Sequence, residues 1–197
     1  MTSLFIIQTL GLFGVFAVVF AESGLFFGFI FPGDSLLFTA GLLASQGYLH
    51  ITPLLFGCFI AAVLGDNVGY AFGRRVGPRL FKRPDSRLFK QSHLEKTSKF
   101  YAAYGKKTII LARFVPIVRT FAPILAGVGA MRWRDFFIYN LVGGALWAIG
   151  VTLLGYILGS TIPNIERYLT DIIIAIVILS FLPVVYNMRN GQAKPVS

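Results

Sequence analysis

Five ionisable side chains sit inside otherwise apolar sequence: Glu22, Asp34, Asp66, Arg113 and Arg119. The two arginines share one run, Leu-Ala-Arg113-Phe-Val-Pro116-Ile-Val-Arg119-Thr-Phe-Ala-Pro123-Ile-Leu-Ala-Gly127. An arginine at bilayer depth costs several kcal/mol, so it is rare there and serves a function. Its planar fork holds a phosphate through two parallel hydrogen bonds and keeps its proton. Glu22 and Asp34 fall in a second interrupted segment. If the two segments face each other, an acid pair meets an arginine pair in a dry site. A carboxylate there can bind and release a proton as the arginines change partner. That is a physical route to proton-coupled movement of a phosphorylated substrate, with Arg113 and Arg119 as phosphate ligands and Glu22 and Asp34 as proton carriers or gates. The competing reading is a buried ion-pair network that only fixes the fold.

Asp66 is a further candidate for the proton role. It lies in Gly65-Asp66-Asn67-Val-Gly69-Tyr70-Ala-Phe-Gly73, whose glycines recur every fourth residue and make a face for close helix packing. Arg74 and Arg75, at its end, anchor the helix by reaching into the interface.

These groups need membrane-spanning elements to hold them. The chain has 197 residues, of which 56% are hydrophobic and 13% charged, with a mean hydropathy of +0.74. Such a composition excludes an ordinary soluble domain and predicts one all-α membrane domain over the whole chain, 1–197. Apolar blocks cover about 4–21, 22–48, 53–73, 108–129, 136–159 and 172–188. The first, third, fifth and sixth are clean, and each is long enough to cross a ~30 Å hydrocarbon core. The first lacks the basic start and cleavage pattern of a signal peptide, so it is expected to stay as a helix. The other two are broken, 22–48 at Pro32-Gly33-Asp34 and 108–129 at Pro116 and again at Pro123. Proline removes a backbone donor, and broken backbone survives at membrane depth only inside protein or beside a wet cavity. Both blocks are therefore read as re-entrant helical hairpins, against a plainer reading of six helices with two kinks. Paired broken segments in matching positions point to an inverted repeat with its site near the bilayer midplane.

The net charge is +10, and eleven Lys/Arg against two acids fall within 74–107. Flanking membrane segments argue against nucleic acid as the partner. The positive-inside rule makes 74–107 a cytoplasmic loop, places both termini inside and makes the two hairpins enter from opposite sides. Ser92-His93-Leu94-Glu95 has capping-box spacing and opens an amphipathic helix on the inner membrane surface. His93 and His50 read as solvated residues. The single cysteine, Cys58, excludes an internal disulfide or a cysteine metal cluster and reads as packing. No metal and no cofactor is expected. There is no Walker loop, His-Glu-x-x-His or Gly-x-Ser-x-Gly, so a transporter is expected rather than an enzyme. Asp34 and Asp66 formally suit an intramembrane aspartyl protease, but Pro-Gly beside Asp34 and the arginine pair argue against it.

Three motifs carry a resemblance: Phe31-Pro32-Gly33-Asp34-Ser35-Leu36-Leu37-Phe38, then Gly65-Asp66-x-x-Gly69-Tyr70-x-x-Gly73-Arg74, then Ala112-Arg113-Phe114-x-Pro116-x-x-Arg119-Thr120-x-x-Pro123-x-x-Ala126-Gly127. The chain resembles the bacterial DedA family, also called SNARE-associated or VTT-domain proteins, from Glu22 to about Gly159. The resemblance implies opposed re-entrant hairpins in the inner membrane and movement of lipids between leaflets. Some members recycle undecaprenyl phosphate, and others are linked to phosphatidylethanolamine movement and to proton motive force. The family's essential acids and arginines fall on Glu22, Asp34, Arg113 and Arg119. Its members share these motifs whatever their substrate. The expected function is a flippase for undecaprenyl phosphate, coupled to protons, with a membrane lipid as partner. The alternatives are a phospholipid flippase or scramblase, a proton-coupled drug or cation antiporter, and a non-transporting scaffold. A homo-oligomer is compatible with all of these.

Overall fold

The computed structural model of the chain describes residues 2–24, 33–81, 107–114 and 116–162. Helix α1 is Thr2–Gly24, α2 is Gly33–Ser45 and α3 is Ile51–Phe81. Next come α4, Thr108–Ala112, and α5, Pro116–Val128. Then α6, Trp133–Gly144, passes through a π-helical turn, Ala145–Ile149, into α7, Gly150–Thr161. All the described elements are helical. The expected amphipathic helix with His93, the sixth apolar block, most of the 74–107 loop and Pro32 lie outside the described residues.

Among the described residues, two helices are long and apolar enough to cross a membrane: α3, over Ile51–Gly77, and the continuous α6–α7, over Trp133–Thr161. Their exposed faces carry apolar stripes. On α3 these are Phe56, Ile60, Leu64 and Val68, and on α6–α7 Ile138, Val142, Leu146 and Leu154. A water-soluble helix shows polar residues on that face. The opposite face of α3 buries Leu54, Cys58, Ala61 and Ala62 with Val19, Leu37 and Trp147. Cys58 is thus a packing residue, as its apolar setting predicts.

The two interrupted segments share a design. Each contains a helix of thirteen residues, α2 and α5. At about 1.5 Å per residue, neither reaches across a ~30 Å core. Each ends in the same closure, in which one N–H reaches back five residues and another three. In α2 these are Tyr48 to Leu43 O and Gly47 to Ala44 O; in α5, Met131 to Ala126 O and Ala130 to Gly127 O. Gly47 and Ala130 take the positive φ that this closure requires. A long helix follows within a few residues in both cases.

The packing is crosswise. α2 lies mainly on α7, and α5 on α3, which also carries α1. Glycines allow these approaches. A Cβ on Gly65 would lie 2.7 Å from Phe20 O of α1, and one on Gly73 or Gly127 would run into the facing backbone of the α3–α5 contact. Gly41 and Gly155 do the same between α2 and α7. The small-residue face of Gly65, Gly69 and Gly73 is therefore the seam of α3 with α1 and α5.

Four expectations are corrected. The basic stretch is not a loop from residue 74, because α3 runs on through Phe81 and carries Arg74 and Arg75 in its last turns. The first helix does not stop at residue 21; it runs through to Gly24, so Glu22 belongs to its last turn and not to a hairpin starting at residue 22. Pro123 does not break the second segment. It sits inside α5, which packs along α3 and continues although the carbonyl four residues earlier loses its helical partner. The break lies instead at Arg113 and Phe114, ahead of Pro116, which opens α5 at the position where a proline costs least. Finally, the fifth block is not a plain helix, because a π turn interrupts it.

Candidate functional site: a layered cluster of arginines and carboxylates

All five charged candidates come together, and α6–α7 adds two residues to them. Glu22 arrives from the end of α1, Asp34 from the start of α2, Asp66 from the middle of α3, Arg113 from the break before α5, and Arg119 from the first turns of α5. Each comes from where a helix starts, stops or crosses another.

The cluster has two layers. In the deeper one, Arg113 Nη2 donates to Asp66 Oδ2 and to Asn140 Oδ1. The Arg113 and Asp66 side chains are only 5% and 6% exposed. Asn140 is fully buried, and its own amide donates to Val63 O at 3.2 Å, tying the layer to α3. Gly143 and Gly144 form the notch for the arginine stem; a Cβ on Gly143 would stand 2.9 Å from Arg113 Cδ. The Arg113 Nε finds no hydrogen-bond partner among the described residues.

In the second layer, Arg119 holds two carboxylates at once. Its Nη2 donates to Glu22 Oε1, and its Nη1 to Asp34 Oδ1 at 2.7 Å. The two acids differ in access: the Glu22 side chain is 3% exposed and that of Asp34 is 45% exposed. Glu22 is seated where a Cβ of Gly33 would be, at the N-terminus of α2. A carboxylate is favoured there by the helix dipole. The glycine of the Pro-Gly-Asp sequence is therefore required for space.

Trp147, in the π turn, lies between the layers. Its ring centre is 4.6 Å from the Arg119 guanidinium carbon and 6.0 Å from that of Arg113. Its Nε1–H donates to Asp34 Oδ1 at 2.6 Å, the oxygen that also takes Arg119. Asn140 and Trp147 are seven residues apart, so one face of α6–α7 meets both arginines.

The proposed acid pair and arginine pair are thus not partnered two with two. Arg119 takes Glu22 and Asp34, and Arg113 takes Asp66, which sequence reasoning ranked below the others. Asn140 and Trp147 were missed. The available signal was a lone amide and a tryptophan deep in an apolar run, both of which demand a polar partner. Among the described residues, no group of three or more His, Cys, Asp or Glu forms a metal-holding cluster.

The VTT domain profile matches residues 31–157, more than half of the chain. Protein DedA of Escherichia coli K12 is 47% identical over 182 residues, covering 91% of this chain and 83% of that protein. An uncharacterized membrane protein of Mycobacterium tuberculosis is 49% identical over 189 residues, covering 92% and 82%. The inner membrane protein YghB of Salmonella typhimurium is 35% identical over 168 residues, covering 85% and 76%. No solved structure matches the chain.

Proposed function

The chain belongs to the DedA family of VTT-domain membrane proteins, and we propose that it carries undecaprenyl phosphate across the bacterial inner membrane toward the cytoplasm. In this reading it is a transporter and not an enzyme, with both termini and the basic 74–107 stretch cytoplasmic and the two interrupted segments re-entrant from opposite sides. The observation that carries it is Arg119, a guanidinium held by one buried carboxylate, Glu22, and by one half-exposed carboxylate, Asp34. A phosphate offers the same paired acceptors as a carboxylate and can take the place of the exposed partner. Arg113, behind it, adds positive potential, but its buried pairing with Asp66 and Asn140 leaves Arg119 as the arginine that an entering phosphate meets first.

Three carboxylates face two guanidinium groups in this cluster. An entering phosphate adds to that excess in a largely buried site, and a proton taken up with it would relieve it. This supports coupling to protons, with Glu22, Asp34 and Asp66 as carriers or gates.

The exposed Asp34 beside Arg119 also favours a second reading. An ethanolamine headgroup presents an ammonium and a phosphate together, and these match a carboxylate next to an arginine. Reconstitution in liposomes with labelled polyprenyl phosphate and phosphatidylethanolamine side by side separates the two. Movement of polyprenyl phosphate alone is expected. Movement of phosphatidylethanolamine alone supports the second reading, and movement of neither leaves a structural scaffold.

A further inference from the structure

Trp147 is among the most buried residues of the protein, 2% exposed, and packs in the core formed by α1, α2 and α3. A tryptophan so placed has to find an acceptor for its N–H. Here the acceptor is not a backbone carbonyl but a carboxylate, Asp34, and the ring face is not covered by aliphatic groups alone but by the Arg119 guanidinium. One side chain therefore touches both members of one ion pair. The helix that carries it departs from α-helical form only over Ala145–Ile149, with Trp147 at the centre. Such π turns are common at functional sites because they redirect side chains within a continuous helix.

The Arg119 anchors are unequal. Glu22 is buried, and the Trp147 face is buried. Asp34 alone is open enough for a ligand to displace it. During an exchange of Asp34 for phosphate, Arg119 has lost one acceptor and not yet gained the other. The Nη1 side of the guanidinium is then unheld, and Arg119, still paired with Glu22 through Nη2, would swing about that pair or draw in water. An aromatic face within about 6 Å holds a cation without offering a competing acceptor, and tryptophan does so best.

We infer that Trp147 is the positioning residue of an exchangeable ion pair: its N–H holds Asp34 in the empty site, and its face keeps Arg119 in place while a phosphate-headed lipid displaces Asp34. The inference rests on the phosphate-lipid reading above and adds to it which partner leaves, which stays and what holds the arginine in between.

The two functions of the indole separate by substitution. Trp147→Phe keeps an aromatic face and loses the N–H. Trp147→Leu loses both. Without the N–H, Asp34 is displaced more easily, so both variants should bind farnesyl phosphate in detergent about tenfold more tightly than the parent, as loss of a charge-assisted bond implies. Only Trp147→Leu lacks the face during exchange. Its turnover of farnesyl phosphate in proteoliposomes, normalised to folded protein, should fall about tenfold, while Trp147→Phe turns over near the parent rate. A purely structural tryptophan predicts no gain in affinity and no split between KM and kcat.

The chain has two tryptophans, so Trp133→Phe leaves Trp147 as the sole emitter. Its emission should shift on adding farnesyl phosphate. Binding by the parent and impaired binding by Arg119→Lys, with unchanged affinity in Trp147→Phe, with equal turnover in the two Trp147 variants or with no emission shift, would overturn this inference and leave the transport reading intact. A parent that neither binds nor moves farnesyl phosphate would overturn both.

Discussion

The two layers of the charged cluster should fail in different ways, and Asp66 and Asp34 separate them. Asp66 and Arg113 are each about 95% covered, and after the carboxylate Asn140 supplies the other described acceptor of the Arg113 Nη2. Asp66→Asn leaves a buried guanidinium uncompensated. Breaking one side of a buried pair costs about 3–5 kcal/mol. For a chain of this length that lowers Tm by roughly 6–20 °C, at about 2–4 °C per kcal/mol. Asp34 is 45% exposed, and Arg119 keeps Glu22 when Asp34 changes. A half-exposed pair contributes about 0–1 kcal/mol, so Asp34→Asn should move Tm by no more than about 4 °C. The check is thermal unfolding of the purified protein in detergent, read by the loss of monodisperse protein. The triple change Asp66→Leu, Arg113→Met and Asn140→Leu should recover most of the Tm lost by Asp66→Asn, because apolar groups replace a buried ion pair and the amide that accepts from it at little net cost. Transport should rank the other way relative to stability, with Asp34→Asn inactive although folded. If Asp34→Asn destabilises as much as Asp66→Asn, the layered description is wrong.

Other changes test the geometry directly. Gly33→Ala places a methyl group on the Glu22 carboxylate and should abolish transport while lowering stability by about 1–3 kcal/mol, measured by the same unfolding assay. Arg119→Lys keeps the charge and loses the fork, so it should insert and fold normally but reduce polyprenyl phosphate movement at least about tenfold; parental transport would reduce Arg119 to a plain positive charge. In a Cys58→Ala background, a cysteine at Ser160 should react with an impermeant thiol reagent in intact cells and one at Ser92 should not, and labelling at Ser92 would reverse the orientation.

The charged side of the site was legible because charge is conspicuous in apolar sequence. Glu22, Asp34, Arg113 and Arg119 each interrupt a run that would otherwise cross a membrane. The glycine face of α3 was legible for a similar reason, since a four-residue repeat of glycine has no meaning except close packing. What could not be read was partnership. Asp66 and Asn140 meet Arg113 across separations of 47 and 27 residues, and Trp147 meets Asp34 across 113. No local pattern encodes such a contact; it follows from which helices cross. Pro123 misled for the opposite reason. Its local preference to end a helix is real, but the contact of α5 with α3 through Gly73 and Gly127 outweighs one lost hydrogen bond.

The crosswise packing also explains where the ion pairs lie. α2 from the first half rests on α7 of the second, and α5 from the second rests on α3 of the first. Arg119 pairs with Glu22 and Asp34, and Arg113 pairs with Asp66, so both arginines of the second half are held by carboxylates of the first. The pair of Arg132 with Asp135 is local, three residues apart, and lies outside this cluster. The buried charges therefore act as the polar part of the seam between the halves, next to the glycine contacts that let the helices approach. A displacement of one half against the other has to break or exchange these pairs, and a buried arginine cannot be left without an acceptor. Arg113, with Asp66 and Asn140 both buried, offers no easy exchange. Arg119 does, because Asp34 is open to a competing anion. In the proposed reading, a phosphate-headed ligand that replaces Asp34 loosens one contact between the halves while Glu22 keeps Arg119 paired, so ligand entry would act on this seam first at Arg119.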